Sequence, residues 1–79
     1  MRNVLVRVYN GDGTSAKGVR VSLWIYQFLA SGSKEGYTNS DGEVEFDLDI
    51  DSGAEISISV EGTEYIRRGA VRGSYRIQL

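Results

Sequence analysis

The side chains with the clearest chemical potential are carboxylates that alternate with apolar residues in the stretch Glu43–Asp51. The candidate calcium ligands among them are Asp47, Asp49 and Asp51, since Ca²⁺ takes about six to eight oxygen ligands. An EF-hand loop that began at Asp47 would need glycine and glutamate where the chain has Ser52 and Ile58. Alternate residues of a strand are also about 6.5 to 7 Å apart, too far to share one ion without a loop folding over them. The pattern favours a solvated acidic face over a weak calcium site near the turn at residues 49–53.

Catalysis has few candidate groups in this chain, which contains no histidine and no cysteine. It therefore lacks the usual base near neutral pH and a strong thiolate nucleophile. A glycosidase that pairs two carboxylates needs a deep cleft, which a chain of 79 residues rarely provides. The glycine-rich loop at residues 10–18 lacks the P-loop pattern, because Lys17 is followed by Gly18 and not by serine or threonine. We predict a protein that is not an enzyme and has no cofactor.

A second group of candidate residues is aromatic and lies in the predicted strand Val19–Leu29. Alternation places apolar side chains on both faces of this strand. One face carries Val19, Val21, Leu23 and Ile25, and the other carries Trp24, Tyr26 and Phe28. A two-layer sandwich covers one face of each sheet, so something else must cover the second face. We consider three possibilities: a bulge or bend that turns the rings into the core, self-association, or a flat ligand such as a sugar ring.

Charge is distributed unevenly in the second half of the chain. Residues 41–64 hold nine acidic residues and no lysine or arginine, whereas residues 66–79 hold four arginines and no acid. This asymmetry predicts internal charge matching across a sheet. Arginines beside tyrosines also suit single-stranded nucleic acid, but a pI near 5.0 gives a polyanion little long-range attraction. We therefore predict no nucleic-acid partner, and we retain Arg67 and Arg68 as candidate interaction residues.

Short strands must position these residues, because no helical period of useful length occurs. The predicted strands are Arg2–Tyr9, Val19–Leu29, Glu35–Asn39, Glu43–Ile50, Ile56–Val60, Glu64–Arg68 and Gly69–Leu79. In the last of them Tyr75, Ile77 and Leu79 are expected to point inward. Asn39–Gly42 has the composition of a hairpin turn between the third and fourth strands. The pattern predicts an all-β, antiparallel Greek-key sandwich of about seven strands, Ig-like in architecture, with residues 1–79 as a single domain.

The chain offers no membrane segment. No run approaches the roughly 20 apolar residues that a membrane span needs. The first residues include Arg2 and Arg7 and no apolar run of signal-peptide length. We expect a soluble cytoplasmic protein without a membrane partner, or one that is secreted or virion-associated if it is excised from, or exported with, a larger assembly.

Several segments follow one another in a recognisable order. The glycine loop leads to the sequence Gly18–Leu23, then to Tyr37–Phe46 and finally to Ile56–Gly62. In this order they resemble the carboxypeptidase regulatory-like and Cna-B-like domains of the transthyretin-like superfamily. The residues that match the hairpin pattern of that family are Thr38, Gly42 and Phe46. The resemblance implies a seven-stranded sandwich that serves as a stalk, spacer, stability or binding module.

Two better-defined activities of that superfamily are not implied for this chain. Hydroxyisourate hydrolases look similar, but they carry catalytic histidines and end on Tyr-Arg-Gly-Ser. This chain has Val71–Ser74 at that place, continues beyond it and contains no histidine. The isopeptide crosslink of Cna-B-like domains needs a first-strand lysine and a last-strand Asn or Asp. The first strand here offers Arg2 and Arg7, and the last offers neither Asn nor Asp.

The sequence therefore predicts a non-enzymatic structural or protein-interaction module. Its contacts with a protein partner, or with a second copy of itself, are expected through strand 19–29 and a neighbouring edge. The alternative is a carbohydrate-binding module that stacks sugars on Trp24, Tyr26 and Phe28.

Overall fold

Seven β-strands form two sheets in the computed structural model, which describes residues 2–27, 31–50 and 53–79. The strands are β1 Arg2–Tyr9, β2 Arg20–Tyr26, β3 Gly32–Tyr37, β4 Glu43–Leu48, β5 Glu55–Val60, β6 Thr63–Ala70 and β7 Ser74–Gln78. One sheet has the order β4-β1-β7 and the other the order β3-β2-β5-β6. The predicted all-β sandwich of about seven strands is confirmed. No helix that could cross a membrane occurs among the described residues.

The core lies between the two sheets and is built by the predicted alternation of apolar residues. Val4, Val6 and Val8 of β1 are fully buried. They pack in one cluster with the inward side chains of the central strands of the other sheet. These are Val21, Leu23, Ile25, Ile56, Ile58 and Val60. Because every second residue points inward, the same strands present an outer face whose residues are available for function.

Most predicted strand boundaries differ from the structure, and the last strand begins at Ser74, because the predicted start at Gly69 belongs to β6. β2 ends at Tyr26 and Gln27 is not part of the strand, whereas the rest of the predicted extension, Phe28 and Leu29, lies outside the described residues. β3 begins at Gly32, earlier than the predicted start at Glu35, and ends before Thr38. The prediction that Leu79 points inward is wrong, because Leu79 follows the end of β7 and is 40% exposed.

The turn Asn39–Gly42 does not close a hairpin, because β3 and β4 belong to different sheets. Its local structure is nevertheless that of a tight turn. The side-chain oxygen of Asn39 accepts the backbone N–H groups of Asp41 at 2.9 Å and of Glu43 at 3.0 Å. Gly42 has a φ of 75°, which favours glycine. The turn therefore carries the chain from one sheet to the other, and the hairpin prediction is wrong.

The pairing of β1 also departs from the prediction. β1 is antiparallel to β4 but parallel to β7. The acidic β4 and the arginine-containing β7 are thus opposite edges of one sheet, separated by β1. Of the described residues, a single ion pair joins segments 41–64 and 66–79, between Glu55 and Arg68 at 2.9 Å. Within the described residues, the predicted charge matching between the two segments is therefore seen for Arg68 alone among the four arginines.

Candidate functional site

Trp24 lies on the outer face of the β3-β2-β5-β6 sheet. Its chain neighbours Leu23 and Ile25 are buried, whereas Trp24 is 42% exposed. β2 pairs with β3 and with β5 without a register shift from Val21 to Ile25. The bend that would turn the indole ring into the core is therefore absent at Trp24, and this part of the outer face is aromatic.

The neighbours of Trp24 explain its exposure. On β3 the residue opposite Trp24 is Ser33, and Gly32 precedes it. These small residues leave the indole ring uncovered on that side, because only cross-strand neighbours could reach it. A shallow cleft of about 310 Å³ results. Its lining residues are Trp24, Ile25, Tyr26, Ser31, Gly32 and Ser33.

Tyr26 lies on the same face as Trp24 but is already engaged by protein groups. Its hydroxyl is 3.2 Å from the Oγ of Ser57. The guanidinium of Arg68 stacks over its ring, 4.4 Å from the centroid. Arg68 in turn donates from Nε to Glu55 at 2.9 Å. Tyr26 therefore offers less free ring surface than Trp24, since one of its faces is covered.

The third predicted aromatic, Phe28, lies outside the described residues. The structure supplies a different aromatic residue that the sequence analysis missed. Tyr37 of β3 is 64% exposed and lies opposite Arg20 of β2. The outer face therefore carries Trp24 toward one end and Tyr37 toward the other. No sequence signal marked Tyr37, because β3 has no alternating apolar residues that would define its faces.

Arg20 adds an unusual polar group beside Tyr37. Its Nε is buried and has no hydrogen-bond partner among the described residues. The backbone N–H of Arg20 donates to the carboxylate of Glu61 at 2.8 Å. Arg20 is half-buried, so a partner at the same face would contact the part of its side chain that remains exposed and not the buried Nε.

The predicted interaction residues Arg67 and Arg68 do not act together. Arg68 covers Tyr26, whereas Arg67 lines a cleft between β6 and β7. Both lie in a β-bulge: the pair of Ile58 with Ile66 is followed by that of Ile56 with Gly69. Two residues of β6 therefore face one residue of β5, and their side chains take different directions.

The candidate calcium ligands are not assembled into a site. Asp47 and Asp49 are exposed, and Asp51 lies outside the described residues. Within the described ranges, no three acidic side chains come together in a way that could hold a metal ion. The backbone oxygen of Asp47 accepts a 2.7 Å hydrogen bond from the Nζ of Lys34. The acidic stripe of β4 is thus a solvated edge with a lysine against it.

No protein-family model matches this chain, and neither does any curated protein sequence. The resemblance to carboxypeptidase regulatory-like and Cna-B-like domains therefore stays a prediction. The exposed face around Trp24 is the candidate functional surface.

Proposed function

We propose that this protein is a non-enzymatic structural or protein-interaction module. Its contact surface is the outer face around Trp24 together with the adjacent free edge of β3. The observation that carries the proposal is the exposure of Trp24 on the outer face of the sheet. Its chain neighbours Leu23 and Ile25 point inward and are buried in the core. Exposed tryptophan and tyrosine supply large contact areas at low entropic cost, and they dominate the energetics of protein interfaces.

Further features of the same face support a protein contact. Tyr37 and Arg20 extend the surface along β2 and β3, and Tyr, Trp and Arg are the residue types enriched at interface centres. β3 is an edge strand, so one side of its backbone has no partner among the strands that the structure describes. The resemblance to carboxypeptidase regulatory-like domains also implies a spacer or binding module.

Self-association is the form of protein contact that can be tested first. We expect light scattering over a concentration series to show a dimer or larger particle in the wild-type protein. Trp24→Ala combined with Tyr37→Ala should return it to a monomer. The matched control is Tyr65→Ala, because Tyr65 is similarly exposed, at 39%, but lies on β6. A wild-type monomer at all concentrations would exclude self-association through this face.

A specific observation also supports carbohydrate binding as a second function. The cleft beside Trp24 is lined by its indole ring, with the residue 42% exposed, and by the exposed residue Ser33, which carries a hydroxyl. A sugar ring stacks its apolar face on an aromatic ring and needs nearby hydroxyls for orientation. The reduced access to Tyr26 restricts this platform to one principal ring.

The two functions are separated by one titration. Soluble glucan, xylan and chitin fragments are added while the fluorescence of Trp24 is recorded. Because Trp24 is the single tryptophan of the chain, a saturable change reports on this site directly. Saturable binding that is lost in Trp24→Ala favours the carbohydrate module. The absence of any response to the three glycan classes leaves protein contact as the function.

A further inference from the structure

The side of the sandwich between β6 and β7 is open. These strands are edges of different sheets. A depression of about 360 Å³ lies along β7, and a second of about 300 Å³ lies between β6 and β7. Ile66, Arg72 and Tyr75 line both. We call the combined space the β6–β7 cleft, defined by these three residues together with Arg67 and Arg76.

Among the described strands β7 pairs with β1 alone, so its other backbone edge is free at this cleft. The N–H of Leu5 donates to the oxygen of Gly73 at 3.0 Å, and the N–H of Leu79 donates to the oxygen of Tyr9 at 2.8 Å. In a parallel ladder alternate residues face the neighbouring strand, so the odd-numbered residues of β7 face β1. The even-numbered residues direct their N–H and C=O groups away from β1, toward the cleft edge. They are Ser74, Arg76 and Gln78.

β7 is a better template for a further strand than β6. The pairing of β5 with β6 shifts register between Ile56 and Ile58 and again between Ile58 and Ser59. Such bulges interrupt the regular spacing of backbone groups along an edge. The pairing of β1 with β7 runs from Leu5 to Tyr9 without a shift. An extended peptide would therefore find a regular series of donors and acceptors on β7.

Unpaired arginines surround this edge. Among the described residues, Arg67, Arg72 and Arg76 form no ion pair with a carboxylate. Arg72 stacks over Tyr75 at 4.9 Å from the ring centroid, and Arg76 stacks over Tyr9 at 4.6 Å. Stacking orients a guanidinium but leaves its in-plane N–H donors free for carboxylates. The cleft therefore favours a negatively charged ligand, although the whole chain has a net charge of −2.

The interior of the cleft is apolar. Tyr75 is buried and Ile66 is partly buried, and both belong to or pack against the core cluster. Gly69 and Ala70 also line it and leave room because their side chains are absent or small. A strand added to β7 would point alternate side chains toward the cleft interior and toward the outer side with Arg76. The complementary ligand therefore alternates apolar residues with carboxylates.

We propose that the β6–β7 cleft binds an extended, acidic segment of a partner protein by strand addition to β7. This surface is separate from the Trp24 face. β4 of a second copy has the required alternation but cannot supply it, because its Phe46 and Leu48 are buried in its own core. Lys34 also donates to the backbone oxygen of Asp47 in β4. The partner segment must therefore be free of its own sheet before it binds.

The first experiment uses a synthetic peptide that alternates glutamate and valine, with a peptide that alternates lysine and valine as the control. Binding is measured by fluorescence anisotropy at two salt concentrations, and amide shifts are mapped by NMR. We expect the acidic peptide alone to bind, with weaker binding at high salt. The shifted amides should include Ser74, Arg76 and Gln78. Binding of the lysine peptide, binding of neither peptide, or shifts confined to β3 would each overturn the proposal.

The second experiment separates strand addition from simple charge attraction. Arg76→Glu should weaken binding of the acidic peptide about tenfold or more, since a charge-assisted hydrogen bond contributes about that factor. The control Lys17→Glu makes the same charge change in the exposed loop between β1 and β2. It should leave the affinity within about twofold. An equal loss in both variants would contradict the proposal.

The peptide backbone provides a test that leaves the protein unaltered. Two versions of the acidic peptide are N-methylated, each on one of the two alternating sets of amides. Strand addition uses one set of peptide amides, so one version should lose binding and the other should retain it. Equal binding of both versions would exclude strand addition, as would loss of peptide binding in Trp24→Ala, which alters only the opposite surface.

Discussion

The hydroxyl of Thr38 donates a 2.5 Å hydrogen bond to the carbonyl oxygen of Ala16. The same hydroxyl oxygen accepts the N–H of Val19 at 3.0 Å, and Thr38 is almost completely buried. One side chain therefore joins the residue after β3 to the segment that leads into β2. This contact positions both strands that carry the proposed interaction face, so its loss should destabilise that face.

We expect Thr38→Val to lower the free energy of unfolding by about 2 to 3 kcal/mol. Valine fills the same volume but leaves a buried donor and a buried acceptor without partners. Thr63→Val is the control: Thr63 is exposed in β6, and its replacement should change stability by less than about 0.5 kcal/mol. Denaturant unfolding of the two variants measures these changes in stability. Equal unfolding midpoints of the two variants would contradict the assigned role of Thr38.

Gly42 should be replaceable by no other residue without a large loss of stability. It has a φ of 75°, and a Cβ atom there would lie 2.6 Å from the backbone oxygen of Val8. The N–H of Val8 donates to the oxygen of Gly42 at 2.8 Å, so displacement would also break a backbone hydrogen bond. We expect Gly42→Ala to cost about 2 kcal/mol or more in thermal or denaturant unfolding.

The control for Gly42 is Gly53→Ala. Gly53 has no positive φ, and nothing lies within 4 Å of its added Cβ. Its substitution should be neutral or slightly stabilising, because alanine restricts the unfolded chain. Faster amide exchange at Val8 in Gly42→Ala, and not in Gly53→Ala, would locate the damage at the turn.

The sequence was sufficient to predict the strands whose two faces differ strongly in polarity. The valines of β1 recur at every second position, and the apolar residues of β4 alternate with carboxylates. The structure buries the three valines, Phe46 and Leu48, and it buries Val44 in part. Thr38, Gly42 and Phe46, which carried the family resemblance, each have a structural role. Phe46 is core, and the other two hold turns. The local residue pattern marks these positions, although the hydrogen bond of Thr38 to Ala16 and the burial of Phe46 involve residues far apart in the chain.

The features that could not be predicted depend on contacts between segments that are distant in the sequence. The residues of the turn before β4 specify the backbone conformation of the turn. They do not specify which sheet β4 joins, and in the structure β4 pairs with β1. β3 has polar residues on both faces, so its register with β2 could not be read. The β6–β7 cleft exists because β7 runs parallel to β1 at a sheet edge. No local pattern encodes that pairing.

The close approach of β3 to β4 depends on the absence of a side chain at Gly36 of β3. An added Cβ would lie 2.9 Å from Cγ2 of Val44 in β4 and 3.5 Å from Cε1 of Phe46. We expect Gly36→Ala to destabilise the protein by about 1 to 3 kcal/mol, because a β-branched neighbour in a packed core cannot move away freely.

A double-mutant cycle tests this close approach. Val44→Ala removes the obstructing methyl group, so the combined variant should lose less stability than the sum of the single variants. A coupling of at least about 0.5 kcal/mol is expected for residues in direct contact. Additive losses would show that the two strands do not approach as closely as the structure places them.

Asp12 provides a test of pH dependence in the loop between β1 and β2. Its carboxylate accepts the hydroxyl of Thr14 at 2.7 Å and the backbone N–H of Thr14 at 3.0 Å. These hydrogen bonds, the hydroxyl one first, lower the pKa of Asp12 below its ordinary value of 3.8. A carboxyl whose pKa is lower in the folded state stabilises that state above the unfolded pKa. The contribution is lost as the pH falls through the folded value.

We expect Thr14→Val to raise the pKa of Asp12 toward 3.8 while leaving part of the lowering, because the backbone N–H donor remains. NMR titration of the Asp12 carboxyl in the wild type and in Thr14→Val measures this directly. Thr63→Val should leave the Asp12 titration unchanged, since Thr63 lies at the start of β6. Identical titrations in the wild type and Thr14→Val would mean that the hydroxyl does not hold the carboxylate in solution. The loop would then depend on its backbone hydrogen bonds, such as that between the N–H of Asn10 and the oxygen of Thr14 at 2.7 Å.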